Sequence, residues 1–204
     1  MRALILVDLQ NDFLPGGALA VAEGDLVVPL ANRLQAAADL VVATQDWHPA
    51  KHASFASQHA GKRPGEVTEL DGLPQVLWPD HCVQLTHGAA FAATLDTRRI
   101  AKIFPKGMDP RVDSYSGFFD NGRRHDTGLA GYLRLKGVRE VIVCGLATDY
   151  CVKWTALDAA EQGFETCVVE DACRGVELEE GDVDAALDEL DEAGVEVLTS
   201  DELL

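Results

Sequence analysis

The segment Ala3–Asp8, with the sequence ALILVD, is apolar on both faces and ends at an acidic residue. Short apolar runs rich in β-branched residues recur along the chain. Such runs are typical of buried strands in a parallel sheet that helices cover on both sides. We therefore predict strands at Ala3–Asp8, Leu40–Thr44, Ile100–Phe104, Glu140–Cys144, Thr166–Val169 and Val195–Leu198.

Four helical patterns separate most of these runs, each with apolar residues three or four positions apart. Asp25 and Asp126 are the expected N-caps of the first two helices. The third helix begins near Cys151, and Gly194 ends the fourth. This alternation predicts an α/β fold, a three-layer α/β/α domain with a mostly parallel sheet of about six strands.

One long segment, from about residue 47 to 99, interrupts the alternation of strands and helices. Connections of this length are usually functional when they are ordered. The whole chain of 204 residues fits a single domain, 1–204, with this segment as a metal-carrying insertion. The segment contains five of the six histidines: His48, His52, His59, His81 and His87.

The net charge of −17 argues against binding to nucleic acid or to an anionic membrane, because both need a basic surface. No apolar run approaches the roughly 18 to 20 residues of a membrane span. The five cysteines are odd in number and irregularly spaced, which argues against a disulfide framework and allows a free reactive thiol. We expect a cytoplasmic protein.

Three reactive side chains follow three different predicted strands. Ligands of open parallel sheets bind beyond the carboxyl ends of the strands, where Asp8, Lys106 and Cys151 are expected. Each has an ordinary interpretation, since a lone cysteine is often a core residue and most lysines are surface charges. At a helix N-terminus, however, Cys151 is well placed for a thiolate nucleophile. A carboxylate could take its proton and an ammonium could stabilise both anions.

A second group of residues suggests a metal site. Asp46 and His48 stand on one loop, and His52 and His81 occur later in the same long segment. Two imidazoles and a carboxylate form an open site suited to Zn²⁺, Fe²⁺ or Mn²⁺. The spacing alone is a weak signal, because surface histidines are common.

Seven short segments follow one another along the sequence, and all but the sixth contain one or more of these candidate residues. They are Val7–Phe13, Gln45–Pro49, Lys51–Phe55, Trp78–Cys82, Phe104–Gly107, Asp113–Phe118 and Gly145–Cys151. In these segments and in their order, the chain resembles the nicotinamidases of the isochorismatase-like cysteine hydrolase family. Together the seven segments are far more specific than any one of them.

The resemblance implies an amidohydrolase that converts nicotinamide to nicotinate and ammonia through a thioester. In that reaction Cys151 attacks the carboxamide carbon, Asp8 acts as general base and then acid, and Lys106 supports the thiolate. The backbone N–H groups of Ala147 and Cys151 form the oxyanion hole. The peptide bond between Leu146 and Ala147 is expected to be cis.

The resemblance also assigns substrate and metal contacts. Phe13 and Trp78 enclose the pyridine ring, with Tyr115 nearby. One divalent metal ion, with Zn²⁺ expected ahead of Fe²⁺ or Mn²⁺, binds the ring nitrogen. Its expected ligands are Asp46, His48 and His81, with His52 as a further candidate. Nicotinamide is the expected partner, and the chain could also form a homo-oligomer.

Several alternatives remain at this point. The same residues could hydrolyse pyrazinamide, N-carbamoylsarcosine, maleamate or a ureidoacrylate. Isochorismatase chemistry uses no nucleophilic thiol, so Cys151 argues against it. A non-catalytic binding module stabilised by zinc would leave Asp8 and Lys106 without a purpose. Tyr150 departs from the family pattern, because several members have histidine there.

Overall fold

The computed structural model describes all 204 residues, and its centre is a six-stranded parallel sheet. The strands in chain order are β1 (Arg2–Val7), β2 (Leu40–Asp46), β3 (Val67–Leu70), β4 (Leu73–Val76), β5 (Ile100–Lys106), β6 (Glu140–Leu146), β7 (Glu165–Arg174) and β8 (Glu196–Leu198). The strand order in the sheet is β5-β2-β1-β6-β7-β8, and β3 and β4 form a separate antiparallel hairpin. All six predicted strands are present, within a few residues of the expected bounds.

Helices cover both faces of this sheet, as the alternation of strands and helices predicts. Successive crossovers lead to one side of β1 in the first half of the chain and to the other side in the second half. Because such crossovers are right-handed, the two halves place their helices on opposite faces. None of the helices has the length and apolarity needed to span a lipid bilayer. The helices are α1 (Val27–Leu34), α2 (Leu129–Leu135), α3 (Lys153–Glu161) and α4 (Asp182–Glu192).

The expected N-caps of the first two helices are wrong. Asp25 lies inside a 3₁₀ turn, Gly24–Leu26, which leads directly into α1. The residue before α2 is Gly128, with a φ of 84°. The Asp126 carboxylate accepts a hydrogen bond from the Gly128 N–H at 2.6 Å, so it closes a turn before the helix instead of capping it.

The central position of strand β1 in the sheet explains why its sequence is apolar on both faces. Residues Ala3–Val7 are fully buried, between β2 on one side and β6 on the other. The chain reverses its direction of progress across the sheet at the β1–β6 pair. A crevice at the carboxyl ends of the strands is expected at this reversal point, and it fixes where the site lies.

The long segment between β2 and β5 folds back over this crevice. Its β3–β4 hairpin turns at Asp71 and Gly72, both with positive φ. The chain then returns beside β2, where the His48 N–H donates a hydrogen bond to the Cys82 carbonyl at 3.0 Å. A bridge between Phe55 and Trp78 fixes the same return. In this way residues more than thirty positions apart reach one edge of the sheet.

Candidate active site

Four strand ends supply the polar residues of the crevice. Asp8 follows β1 with a φ of 49°, a conformation that aspartate tolerates better than most residues. Asp46 ends β2 and Lys106 ends β5, and the two are direct partners in the sheet register. Cys151 lies in a π-helical turn, Thr148–Val152, between β6 and α3. The structure thus brings together residues that lie far apart in sequence.

Lys106 is the centre of this arrangement. Its ammonium lies 2.9 Å from Asp8 Oδ2 and 3.3 Å from Cys151 Sγ, and it also forms an ion pair with Asp46. It donates a further hydrogen bond to the Ser114 carbonyl at 2.9 Å. Its side chain is fully buried, so these contacts replace water around the charge. Asp8, Asp46 and Cys151 offer atoms that all lie within 4.8 Å of one another.

The two oxygens of Asp8 have different environments. Oδ1 accepts a hydrogen bond from the Thr44 hydroxyl at 2.6 Å, and the same hydroxyl accepts the Asp8 N–H at 3.2 Å. Oδ2 is buried and has no hydrogen-bond partner besides its ion-pair contact with Lys106. Thr44 therefore fixes the carboxylate and leaves Oδ2 facing the reactive groups.

Burial and mutual charge set the protonation of these groups. Burial raises the pKa of the Cys151 thiol well above its usual range, although Lys106 opposes this. Burial would also lower the pKa of Lys106, but Asp46 and Asp8 hold it well above its usual range. Burial raises the pKa of Asp8 as well, against the charge of Lys106. Burial thus favours the neutral thiol form of Cys151, which is less nucleophilic than the thiolate.

The predicted metal ligands Asp46, His48 and His81 also come together. Their ligand atoms lie within 4.8 Å of one another, and all three side chains are buried. Asp46 Oδ2 is 3.5 Å from His48 Nε2 and 3.7 Å from His81 Nε2. His48 Nε2 is buried without a hydrogen-bond partner. An unpaired buried imidazole nitrogen beside a carboxylate fits a divalent cation.

Backbone carbonyls orient both histidines. His48 Nδ1 is 2.9 Å from the Gly107 carbonyl, and His81 Nδ1 is 2.8 Å from the Pro79 carbonyl. A proton on Nδ1 satisfies each carbonyl and leaves the Nε2 lone pair for a metal. A Cβ at Gly107 would lie 2.3 Å from the His48 ring, so the glycine makes room for this imidazole. The Phe55 ring packs against the same two imidazoles.

His52 lies beside this group but not within it. Its ring centroid is 4.5 Å from that of His48, and its Nε2 is buried without a partner. It belongs to a second group of ligand atoms, with His48 and Asp113. The Ser54 N–H points at His52 Nδ1 at 3.2 Å, and the Ser54 hydroxyl lies 2.7 Å from the same atom. Direct ligation by His52 stays a prediction.

The thiol opens onto a narrow cavity of about 30 Å³ with mostly apolar walls. The predicted substrate contacts all line it, and so do Ala147, Tyr150 and two residues of the metal group. A cavity of about 380 Å³ lies next to Lys106 and Gly107, but Cys151 does not line that one. The walls of the smaller cavity are Phe13, Leu19, Asp46, Trp78, His81, Asp113, Tyr115, Ala147, Tyr150, Cys151 and Val176.

The backbone beside the thiol matches the expectation from the resemblance. The Leu146–Ala147 peptide bond is cis. The Ala147 carbonyl accepts hydrogen bonds from the N–H groups of Tyr150 and Val152, at 3.1 and 3.0 Å. The Ala147 N–H donates no hydrogen bond to the backbone, and Ala147 lines the cavity. The role of this amide in an oxyanion hole stays a prediction.

Sequence reasoning missed several residues that hold this site together. Gln10 bonds to the backbone of Asp46 in both directions, at 2.8 Å each. Gln75 donates to Asp113 at 3.1 Å and to the Tyr115 hydroxyl at 3.0 Å. Gln10 and Asp113 stand within matching segments of the sequence and could have been found there. Gln75 stands in the hairpin, where no pattern marks it.

Fold and site together define a hydrolase with a three-layer α/β/α fold and a buried thiol in its site. The chain belongs to the isochorismatase family, whose domain profile matches residues 2–202. It is 54% identical over 202 residues to a nicotinamidase of Escherichia coli strain K12, covering 97% of this chain and 94% of that protein.

Solved structures show the same similarity over nearly the full length. A nicotinamidase/pyrazinamidase of Acinetobacter baumanii is 48% identical with a TM-score of 0.97, covering 100% of this chain and 98% of that one. A pyrazinamidase of Pyrococcus horikoshii in complex with zinc is 40% identical with a TM-score of 0.79, covering 97% and 98%.

Proposed function

We propose that this enzyme hydrolyses nicotinamide to nicotinate and ammonia through a thioester on Cys151, and that it also accepts pyrazinamide. The observation that carries the proposal is the position of Lys106, whose ammonium contacts both Asp8 and the Cys151 sulfur. The choice of substrate is supported by the nicotinamidases named above, one of which is 54% identical in sequence to this chain.

In the first half of the reaction, Asp8 Oδ2 takes the proton of the Cys151 thiol. The sulfur then forms a bond to the carboxamide carbon, and the carbonyl oxygen becomes an oxyanion. The N–H groups of Ala147 and Cys151 stabilise this charge. Lys106 stabilises the thiolate before the attack. The C–N bond then breaks, Asp8 returns its proton to the leaving nitrogen, and ammonia departs.

In the second half, water hydrolyses the thioester. Asp8, again a carboxylate, takes a proton from the water as the water oxygen bonds to the acyl carbon. The C–S bond breaks and the sulfur leaves as a thiolate beside Lys106. Asp8 then gives its proton to the sulfur, which restores the resting thiol, and the carboxylic acid product loses its proton to solvent to become nicotinate. The acid and base roles thus belong to one carboxyl group in both halves.

The walls of the cavity orient the substrate ring. Phe13 and Trp78 would hold the two faces of the pyridine, with Tyr115 at its edge. The Tyr115 hydroxyl accepts hydrogen bonds from Gln75 at 3.0 Å and from the Trp78 indole at 3.3 Å. These bonds fix two of the walls before substrate binds, which reduces the entropy lost on binding.

Asp46, His48 and His81 are the residues that would hold a divalent metal, with His52 as the further candidate. When bound, the ion would act as a Lewis acid that fixes the ring nitrogen and orients the carboxamide toward Cys151. Nitrogen and oxygen ligands of this kind suit zinc, and the zinc complex of the Pyrococcus relative supports that ion. We also propose that residues 1–204 form one domain, with the metal ligands carried largely by the insertion at about 47–99.

A comparison of amide substrates tests this function. With the zinc-loaded protein, kcat/KM for nicotinamide should exceed that for N-carbamoylsarcosine or maleamate by at least about 100-fold, because these open-chain amides lack a ring nitrogen and aromatic faces. Ammonia and nicotinate should appear in equal amounts. Faster turnover of an open-chain amide would assign another substrate, and stoichiometric metal without turnover of any amide would indicate a binding module.

Removal of one metal ligand should weaken metal binding while the protein keeps its fold. We expect His48→Ala to bind zinc at least about 100-fold more weakly than the unaltered protein, because the unpaired Nε2 is lost. Metal content by mass spectrometry after dialysis, and the affinity for zinc from a chelator competition, measure this.

His87→Ala is the matched control, because its exposed imidazole lies outside the metal group. It should retain metal and activity. Circular dichroism should show that both variants keep their secondary structure. Full metal content and full activity in His48→Ala would refute the metal assignment.

A further inference from the structure

Tyr150 separates the catalytic cavity from a groove on the protein surface. Tyr150 lines both the narrow cavity that contains Cys151 and a groove of about 340 Å³ beside α3 and α4. Tyr115 is another residue that the two spaces share. The groove is also lined by Trp154, which is 41% exposed, and by the small residues Ala185 and Ala186 of α4.

The aromatic contacts place the Tyr150 ring in the wall itself. Its centroid is 4.9 Å from that of Trp78, at an interplanar angle of 87°, and 5.3 Å from that of Tyr115, at 67°. Its other side faces the acidic start of α4. Burial, and then the charges of Asp149 and Asp182, raise the pKa of Tyr150 to about 12. The ring contacts and the shared linings together place Tyr150 between the cavity and the groove.

The three aromatic residues differ in how firmly they are held. Gln75 and Trp78 both donate hydrogen bonds to the Tyr115 hydroxyl, so Tyr115 and Trp78 support each other. The Tyr150 hydroxyl makes no hydrogen bond to the protein, and its side chain is only half-buried. Tyr150 can thus be truncated without leaving a buried polar group unpaired.

From these observations we infer that Tyr150 is the residue that limits the size of the amide substrate, and that the groove behind it is an extension of the substrate site once the ring is removed. The inference rests on the proposed function. Tyr150 lines both the narrow cavity of about 30 Å³ and the groove of about 340 Å³, so loss of the phenol ring should join them. The exposed Trp154 indole then offers a face on which an aromatic substituent can stack.

The experiment compares nicotinamide with nicotinamides that carry a phenyl group on each free ring carbon in turn. For Tyr150→Ala, the ratio of kcat/KM for the best phenyl compound to kcat/KM for nicotinamide should rise at least about tenfold over the unaltered enzyme. A ratio is used because Tyr150 precedes the nucleophile, so its replacement changes the absolute rate. Tyr150→Leu should give a smaller rise.

Two control variants test whether loss of the Tyr150 ring is the cause of the rise in the ratio. Tyr150→Phe keeps the ring and should leave the ratio unchanged. Trp154→Ala enlarges the groove without opening the wall and should also leave it unchanged. The same variants are tested without turnover, by calorimetric affinity for nicotinate and phenyl-substituted nicotinates. Tyr150→Ala should improve the relative affinity for a substituted acid by a similar factor.

The possible results distinguish a failure of the inference about Tyr150 from a failure of the proposed function. If the unaltered enzyme hydrolyses nicotinamide while Tyr150→Ala and Tyr150→Leu still exclude every substituted compound, the role of Tyr150 is refuted and the function stands. A rise as large in Tyr150→Phe would also refute it. If the unaltered protein neither hydrolyses nicotinamide nor binds nicotinate, both proposals fail.

Discussion

Cys151→Ala should lower kcat for nicotinamide by at least about 10⁴-fold, the largest effect expected of any single substitution. Removal of a catalytic nucleophile leaves only binding and electrostatic contributions, and such losses reach about 10⁶-fold in other hydrolases. The sulfur lies 3.3 Å from the Lys106 ammonium and opens onto the cavity that Trp78 and Tyr115 line. No other cysteine lines that cavity.

The result needs a control for the loss of a sulfur atom as such. Cys167→Ala, in strand β7 and away from the cavity, should retain activity. Acid quenching during turnover, followed by mass spectrometry of peptides, should find the nicotinoyl group on Cys151 alone. An acyl group on another residue, or a Cys151→Ala variant with near-normal kcat, would rule out the thioester route.

Asp8→Asn should lower kcat by about 10²- to 10⁴-fold, the range for a lost general acid–base group. Asparagine keeps the shape of the side chain and can still accept the Thr44 hydrogen bond, but it cannot take a proton. Because burial raises the pKa of Cys151, the thiol is not ionised without a base. The variant should therefore also slow alkylation of Cys151 by iodoacetamide in the absence of substrate.

Asp113→Asn is the matched control for Asp8. Its carboxylate is also buried and lines the same cavity, but it accepts hydrogen bonds from Gln75 and the Ser114 N–H instead of contacting Lys106. We expect an effect of less than about tenfold on the alkylation rate. If Asp8→Asn alkylates as fast as the unaltered protein, Asp8 is not the base for the thiol.

The strands were predictable because burial on both faces can be read from the residues of each strand alone. A strand buried on both faces has to be apolar throughout, and the sequence of β1 shows this directly. The carboxyl ends of parallel strands then indicate where Asp8, Asp46 and Lys106 lie. The helix starts were less predictable. Asp25 and Asp126 have the residue type of an N-cap, but each is used in a turn that precedes the helix.

The metal group shows where sequence reasoning needs the tertiary structure. Asp46 and His48 are two residues apart, but His81 arrives only after the β3–β4 hairpin. The strands of that hairpin are short, only Gln75 among their residues is buried, and Pro74 interrupts the second, so no periodic pattern marks them. His81 was a candidate from its residue type alone and an expected ligand from the resemblance, but only the structure shows the return beside Cys82 that brings it to Asp46.

The pairing of β1 with β6 has a consequence for synthesis on the ribosome. Strand β1 is made first and can pair with β2 early, but its second neighbour starts at Glu140. Until then one edge of the most apolar strand stays open, which exposes the nascent chain to aggregation. The same delay keeps Asp8 apart from Cys151, the thiol whose proton we propose that it accepts, until residue 151 has been synthesised.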